Sequence, residues 1–62
     1  MSALSLHELY LAMEAKRYAR HLTWRAIARQ LEVYPSNLTR LKQGKDISAS
    51  NYIAFCDWLE EG

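Results

Sequence analysis

The single proline of the chain, Pro35, divides its central part into two short helical segments. Apolar residues recur at helical spacing between residues 24 and 31: Ile27, Ala28 and Leu31. This spacing predicts a helix of about two turns that begins after the N-cap residue Thr23. Proline is favoured at the first position of a helix, so another helix is predicted over residues 35–42, ended by Gly44. Two short helices joined by about three residues are typical of a helix-turn-helix.

A further helix is predicted on each side of this pair. In the first, from about residue 5 to residue 20, one apolar stripe consists of Leu6, Leu9, Tyr10, Met13 and the stem of Arg17. In the last, which Ser48 caps, the stripe consists of Tyr52, Phe55, Cys56 and Leu59. No segment alternates as a strand does. The sequence therefore predicts a single all-α domain over residues 1–62, built from four helices.

Size and composition exclude several classes of protein. A chain of 62 residues buries only roughly 60% of its unfolded surface, which leaves little room for an elaborate catalytic cleft. Half of the residues are hydrophobic, but no run of about 18 apolar residues predicts a membrane span. Glu8 and Glu14 interrupt the N-terminal segment, so it does not resemble a signal peptide. The lone cysteine, Cys56, favours a reducing, cytoplasmic compartment.

Neither catalysis nor cofactor chemistry is expected. Cys56 lies on the apolar stripe of the last helix, where it acts most simply as a small hydrophobic residue. His7 and His21 have no metal-ligand spacing with it, and the chain has no glycine-rich phosphate-binding loop. We therefore expect no enzyme, no metal site, no cofactor and no small-molecule ligand.

Charge is distributed unevenly along the chain, although the formal net charge is only +1. All eight Lys and Arg residues lie between residues 16 and 45, where Glu32 is the one acidic residue. The other acidic residues lie on either side of this segment. Such asymmetry is typical of a surface that binds a polyanion. A merely solvated face explains the charge pattern equally well, and that alternative stays open.

The central segment resembles a known family of regulators. The similarity lies in Leu22-Thr23-Trp24-Arg25, Ile27-Ala28, Val33, Pro35-Ser36-Asn37-Leu38-Thr39-Arg40-Leu41 and Gly44, and continues through Ser48 and Phe55-Cys56-Asp57-Trp58-Leu59. These residues resemble the helix-turn-helix of the Cro and lambda-repressor-like (XRE-type) family of bacterial and phage regulators. The resemblance implies a compact lambda-repressor-like domain of four or five helices. It also implies a nucleoid-associated protein that places its third helix in the DNA major groove.

The chain departs from that family's pattern at several positions. His21 and Glu32 stand where the family usually has glycine, and a left-handed conformation at either would cost roughly 1–2 kcal/mol. Tyr34 replaces the usual small hydroxyl residue, so the cap of the third helix is expected to be missing or supplied by Ser36. A fifth helix, frequent in the family, has no room before Gly62.

The outer face of the predicted helix at residues 35–42 carries the candidate base contacts. Leu38 and Leu41 point one way, so the polar side chains opposite them are free to enter a DNA major groove about 12 Å wide. The candidates are Pro35, Ser36, Asn37, Thr39, Arg40 and Gln43, and the resemblance points independently to Pro35, Ser36 and Arg40. Arg40 can donate two hydrogen bonds to guanine O6 and N7. Ordinary solvated residues are the alternative interpretation.

Most of the affinity is expected to come from phosphate contacts, which do not depend on base sequence. The candidates are Trp24, Arg25, Lys42 and Lys45, together with the backbone N–H groups that begin the second helix. For Trp24, packing against the first helix is an equally good interpretation. Arg17 is expected to support the fold through its stem or an internal ion pair, whereas Lys16, Arg20 and Arg29 fit solvent as well as DNA.

Apolar residues outside the core stripes predict self-association. The candidates for a homodimer contact are Leu4, Leu11 and Tyr18 in the first helix, and Ile53 and Trp58 in the last. A small protein is not expected to expose this much apolar surface. A homodimer would place two recognition helices about 34 Å apart on a pseudo-palindromic operator. A monomer whose core is covered on two sides is the alternative.

The sequence as a whole predicts a sequence-specific double-stranded DNA-binding transcriptional regulator. We expect a repressor of the phage or bacterial type, without a ligand-sensing domain. The alternative is a protein-binding module on the same scaffold, such as an antitoxin or anti-repressor, that does not itself bind DNA. The two hypotheses differ in salt dependence, because only phosphate binding weakens steeply with added salt.

Overall fold

Four α-helices and no strand make up residues 4–61, the part of the chain that the computed structural model describes. The helices are α1 (Leu6–Ala19), α2 (Trp24–Leu31), α3 (Pro35–Lys42) and α4 (Ala49–Glu60). The predicted all-α architecture is confirmed for these residues, and the predicted limits of α2 and α3 are the observed ones. The predicted absence of a fifth helix depends on Gly62, which lies outside the described residues. No described helix has the length and hydrophobicity needed to cross a membrane.

Side-chain caps fix where three of these helices begin. At the start of α1, Ser5 and Glu8 form a reciprocal capping box with donor–acceptor distances of 2.9 and 3.1 Å. The hydroxyls of Thr23 and Ser48 each accept a hydrogen bond from the N–H three residues further on, at 3.0 and 3.2 Å. The predicted caps of α2 and α4 are therefore confirmed. α3 has no side-chain cap at Tyr34, which is one of the two outcomes that the sequence predicts.

The same left-handed turn ends α1, α2 and α3. His21, Glu32 and Gly44 have φ angles of 57°, 56° and 75°. In each turn the next N–H donates to the carbonyl five positions earlier: Leu22 to Arg17 at 3.0 Å, Val33 to Ala28 at 3.0 Å, and Lys45 to Arg40 at 2.9 Å. Gly44 adopts this conformation at no steric cost. His21 and Glu32 carry a Cβ, so the strain that the family comparison predicts is present at both.

Each helix contributes two buried apolar residues to one core. They are Leu9 and Met13, Ile27 and Ala28, Leu38 and Leu41, and Phe55 and Trp58. α1 packs against α3 and α4, and α2 packs against the same two helices. Three half-buried residues from the connecting segments, Leu22, Val33 and Ile47, pack against this core. Each connection is thus anchored by an apolar side chain, and no described polar or charged residue is buried.

Trp58 lies in the core, so its prediction as a homodimer contact is wrong. Its side chain is only 3% exposed, and its indole N–H donates to Gln30 Oε1 at 3.0 Å. Because α4 packs against both α1 and α2, its buried face is centred on Phe55 and Trp58. Cys56, on the predicted stripe, is only half-buried. The other four dimer candidates are exposed, as expected: Leu4, Leu11, Tyr18 and Ile53.

Lys16 joins α1 to the end of α4. Its ammonium group donates to the carbonyls of Trp58 and Glu61, the latter at 2.7 Å, and lies 4.4 Å from the centroid of the Trp58 ring. A cation at the C-terminus of a helix satisfies its last carbonyls and interacts favourably with its dipole. A second link runs from the Tyr52 hydroxyl to the Leu4 carbonyl at 2.6 Å. Lys16 therefore has a structural role.

Replacing Glu32 by glycine is expected to stabilise the protein. Glycine avoids the cost of roughly 1–2 kcal/mol that a Cβ imposes at positive φ. Part of this gain, about 0.5–1 kcal/mol, is offset because glycine also gives the unfolded chain more conformational freedom. Denaturant titration of Glu32→Gly should show a free energy of unfolding higher by about 0.5–1 kcal/mol. Glu32→Ala is the matched control, since it removes the same carboxylate and keeps the Cβ. Equal gains in the two variants would contradict the assigned strain.

Candidate nucleic-acid interface

A groove of about 200 Å³ lies where α1, α2 and α3 meet. Its lining consists of Tyr10, Trp24, Arg25, Pro35, Leu38, Thr39 and Lys42. Five of these residues were predicted from the sequence to contact DNA: Trp24, Arg25, Pro35, Thr39 and Lys42. The lining contains two cations and no carboxylate. Its chemistry suits an anionic ligand.

The outer face of α3 is open to solvent beside this groove. Leu38 and Leu41 are 5% and 1% exposed and fix the opposite face of the helix in the core. Five of the predicted base contacts are exposed: Pro35, Ser36, Thr39, Arg40 and Gln43. Asn37 is half-buried, in keeping with its predicted place at the flank of this face. α3 therefore presents a short polar surface with one arginine.

Trp24 packs against α1, which is one of its two predicted roles. Its ring stacks on that of Tyr10, with centroids 5.6 Å apart and an interplanar angle of 17°. The guanidinium carbon of Arg17 lies 5.4 Å from the centroid of the Trp24 ring. These contacts hold the first turn of α2 against α1 and make one wall of the groove rigid.

Arg17 supports this wall through the predicted ion pair. Its Nη2 donates to the Glu14 carboxylate, and its Nη1 donates to the Leu22 carbonyl at 3.0 Å. The hydrogen bond from Arg17 is the main reason that the pKa of Glu14 lies below its ordinary value, and the charge of Lys42 lowers that pKa a little further. The Tyr10 hydroxyl also donates to Glu14, at 3.3 Å, and burial raises the pKa of Tyr10.

The Arg40 side chain is exposed to solvent, but its guanidinium is hydrogen-bonded within the chain. Its Nε and Nη2 both donate to the carbonyl oxygen of Asp46, at 3.1 and 2.9 Å. The left-handed turn at Gly44 makes this contact possible, because it brings the chain back beside the last turn of α3. Sequence reasoning missed the contact. The signal that would have revealed it is the glycine four residues after Arg40, which predicts a reversal of the chain there.

Three cations, Trp24 and the start of α2 form the predicted phosphate-binding set. Arg25 and Lys42 line the groove, whereas Lys45 is exposed in the turn after α3. The Thr23 hydroxyl accepts a hydrogen bond from the N–H of Ala26. The earlier N–H groups of α2 have no acceptor among the described residues, which suits an anion at this helix end. The structure brings Arg25 and Lys42 together and leaves Lys45 outside the groove.

Tyr34, which the sequence predicts only as the position of a missing helix cap, also belongs to this surface. Its side chain is 79% exposed, directly before Pro35 at the start of α3. The preceding residue, Val33, packs against the core. The ring therefore extends the exposed surface at the N-terminal end of α3.

Metal-binding clusters do not occur among residues 4–61. No group of three or more His, Cys, Asp or Glu side chains in that range is placed to hold a metal ion. The Cys56 thiol is half-buried on α4, away from the residues that line the groove. Among the residues predicted to contact DNA, Trp24, Arg25, Pro35, Thr39 and Lys42 line the groove.

Acid is expected to destabilise the protein as Glu14 takes up a proton. Because the folded pKa of this carboxyl is lowered, its contribution to stability is present above the ordinary value of 4.5 and is lost as pH falls through the folded pKa. The free energy of unfolding should therefore decrease below about pH 4.5. Glu14→Gln should flatten this decrease. Glu60→Gln is the control, since Glu60 is exposed on α4, and an equal flattening there would contradict the assignment.

Comparisons with known proteins give no match. No family model matches the chain, and neither a curated protein nor a solved structure matches it. The resemblance to the Cro and lambda-repressor-like family therefore stays a prediction that rests on the residues quoted for it. The structure supports the coarser statement of a compact fold of four α-helices without strands over residues 4–61, with a Cα radius of gyration of 10.6 Å.

Proposed function

We propose that the protein is a sequence-specific double-stranded DNA-binding regulator that inserts α3 into the major groove. The observation that carries this proposal is the single surface on which the exposed polar side chains of α3 adjoin the cations Arg25 and Lys42. The groove in this surface has no acidic lining residue. A surface that combines short polar groups with exposed cations fits a helix held between two phosphate backbones.

The α2–α3 pair supports a helix-turn-helix arrangement. The two helices pack against each other, and three residues, 32–34, connect them. Ala28 is 2% exposed, so a small residue lies where α2 enters the core. Val33 anchors the connection. Both observations agree with a rigid pair of helices that presents α3 as a unit.

The proposal assigns base contacts to four polar residues on α3 or directly after it: Ser36, Asn37, Arg40 and Gln43. Arg40 donates to guanine O6 and N7, Gln43 or Asn37 pairs with adenine, and Ser36 bonds either base. The phosphate contacts come from Arg25, Lys42 and Lys45, with the first N–H groups of α2. Trp24 positions α2 by packing on α1, and its indole N–H is left for a phosphate oxygen. The reaction chemistry of an enzyme has no place in this scheme.

We also propose that the protein acts as a homodimer on a pseudo-palindromic site, as a repressor does. One recognition helix covers only a few base pairs, so a second copy supplies the rest of the site. The exposed apolar residues Leu11, Tyr18 and Ile53 are 51%, 76% and 59% exposed and support such a contact. Leu4, at 39%, lies close to α4 through its carbonyl bond to Tyr52.

The same exposed apolar residues favour a second candidate function. A protein-binding module would use them to bind another regulator and would leave α3 without a nucleic-acid partner. The two candidates predict different responses to ionic strength, because apolar contacts release no condensed counterions.

The affinity for duplex DNA is expected to fall steeply with added salt. Anisotropy titrations at several KCl concentrations should give a slope of log K against log[salt] of about −0.9 per phosphate contact. Arg25→Ala and Lys42→Ala should each reduce the size of the slope by about one for every sequence. Arg29→Ala, an exposed cation outside the groove lining, is the matched control. A wild-type slope near zero would favour the protein-binding alternative.

Removing the arginine of α3 is expected to change base preference as well as affinity. Selection from random duplexes should show that Arg40→Ala loses about 1–3 kcal/mol on the preferred site and relaxes choice at one position. Lys45→Ala, a charge loss five residues away, should weaken all sequences alike. If Arg40→Ala keeps both the affinity and the preference of the wild type, the base-contacting role of Arg40 is wrong.

A further inference from the structure

The guanidinium of Arg40 is held by a main-chain oxygen of its own chain. Both its Nε and its Nη2 donate to the Asp46 carbonyl, at 3.1 and 2.9 Å. This oxygen carries no formal charge, so the contact orients the guanidinium without neutralising it. The other exposed cations in the proposed DNA-binding set, Arg25, Lys42 and Lys45, donate no comparable side-chain hydrogen bond within residues 4–61.

The planarity of the guanidinium determines which of its N–H groups remain free to bind DNA. An arginine presents five N–H groups in a fixed plane. The N–H of Nε and one N–H of Nη2 point along one edge, and both donate to the Asp46 carbonyl. The second N–H of Nη2 and one N–H of Nη1 are parallel along the distal edge. The hydrogen bonds of the described residues leave this distal pair without an acceptor.

Asp46 is itself fixed from both sides. Before it, the turn at Gly44 is closed by bonds from Gly44 N to Leu41 O at 3.1 Å and from Lys45 N to Arg40 O at 2.9 Å. After it, Ile47 packs against the core and Ser48 caps α4. The carbonyl that holds Arg40 therefore belongs to a short segment anchored at each end.

Building on the proposed DNA-binding role of α3, we infer that the Asp46 carbonyl is a positioning group for the recognition of guanine. It fixes the rotamer of Arg40 before DNA arrives and directs the distal N–H pair outward, in the spacing that guanine O6 and N7 accept. A long side chain that is already ordered loses less conformational freedom on binding. The Asp46 carbonyl thus contributes to specificity without touching a base.

Backbone ester substitution tests this role without changing a side chain. Chemical synthesis with the α-hydroxy analogue of isoleucine replaces the peptide bond between Asp46 and Ile47 by an ester, whose carbonyl is a weaker acceptor. The N–H lost at Ile47 makes no backbone hydrogen bond in the described structure. The matched control is an ester between Lys45 and Asp46, which weakens a carbonyl that accepts no such bond. Thermal melting of both proteins reports any general loss of folding.

The ester after Asp46 should bind the duplex selected by the wild type about 3- to 10-fold more weakly than the control ester. The loss should be confined to duplexes that carry the guanine, so that discrimination at that one position falls. A general effect on folding would instead weaken binding to every duplex alike. Equal affinity and equal discrimination in the two esters overturn the inference and leave the proposed function intact. A wild type that selects no duplex overturns both.

A second measurement needs only the wild-type protein. Exchange of the Arg40 Nε–H with water, followed by NMR, should be at least several-fold slower than that of exposed Arg29, because the Asp46 carbonyl occupies the Arg40 donor. The difference should disappear in the ester after Asp46 and persist in the control ester. Equal exchange at the two arginines of the wild type would overturn the inference, whether or not the ester variants fold.

Discussion

The hydrogen bond from each left-handed turn back to the carbonyl five positions earlier is the constraint on which this architecture depends. It ends α1, α2 and α3 within a few residues and satisfies carbonyls that a helix end would otherwise leave to water. In α1 and α2 the same turn delivers an apolar residue, Leu22 or Val33, directly onto the core. Short connections leave most of the chain for helices, so eight buried side chains suffice to unite four of them.

Local chemistry made most of the fold predictable from the sequence. Pro35 fixes the start of α3, the hydroxyls of Thr23 and Ser48 cap the helices that follow them, and Gly44 permits the reversal after α3. Each of these effects acts within about four residues, so a sequence displays it directly. The exposure of the α3 face follows for the same reason, because the spacing of Leu38 and Leu41 decides which side is buried. The DNA-binding role remains a proposal. It draws on the exposure of that face, on the charge of the residues around it and on the family resemblance.

Contacts between distant segments were beyond the reach of the sequence. A helical wheel gives angles within α4 but not the directions from which α1 and α2 approach, so it placed Trp58 outside the core. The bond from Lys16 to the end of α4 joins residues that are 45 positions apart. The partner of Arg40 is a main-chain oxygen, and every residue type has one. The residue type at position 46 therefore gave no sign of it, and Gly44 indicated only that the chain reverses there.

Because the acceptor that holds Arg40 is a main-chain oxygen, position 46 requires no particular side chain. Aspartate, serine or lysine at this site would offer the same oxygen, provided that the turn at Gly44 is kept. Selection would then act on the spacing between an arginine and a residue that tolerates positive φ, and would ignore the position that supplies the acceptor. Among descendants of such a chain, the acceptor site would drift as if it were neutral while the geometry it provides stayed constant.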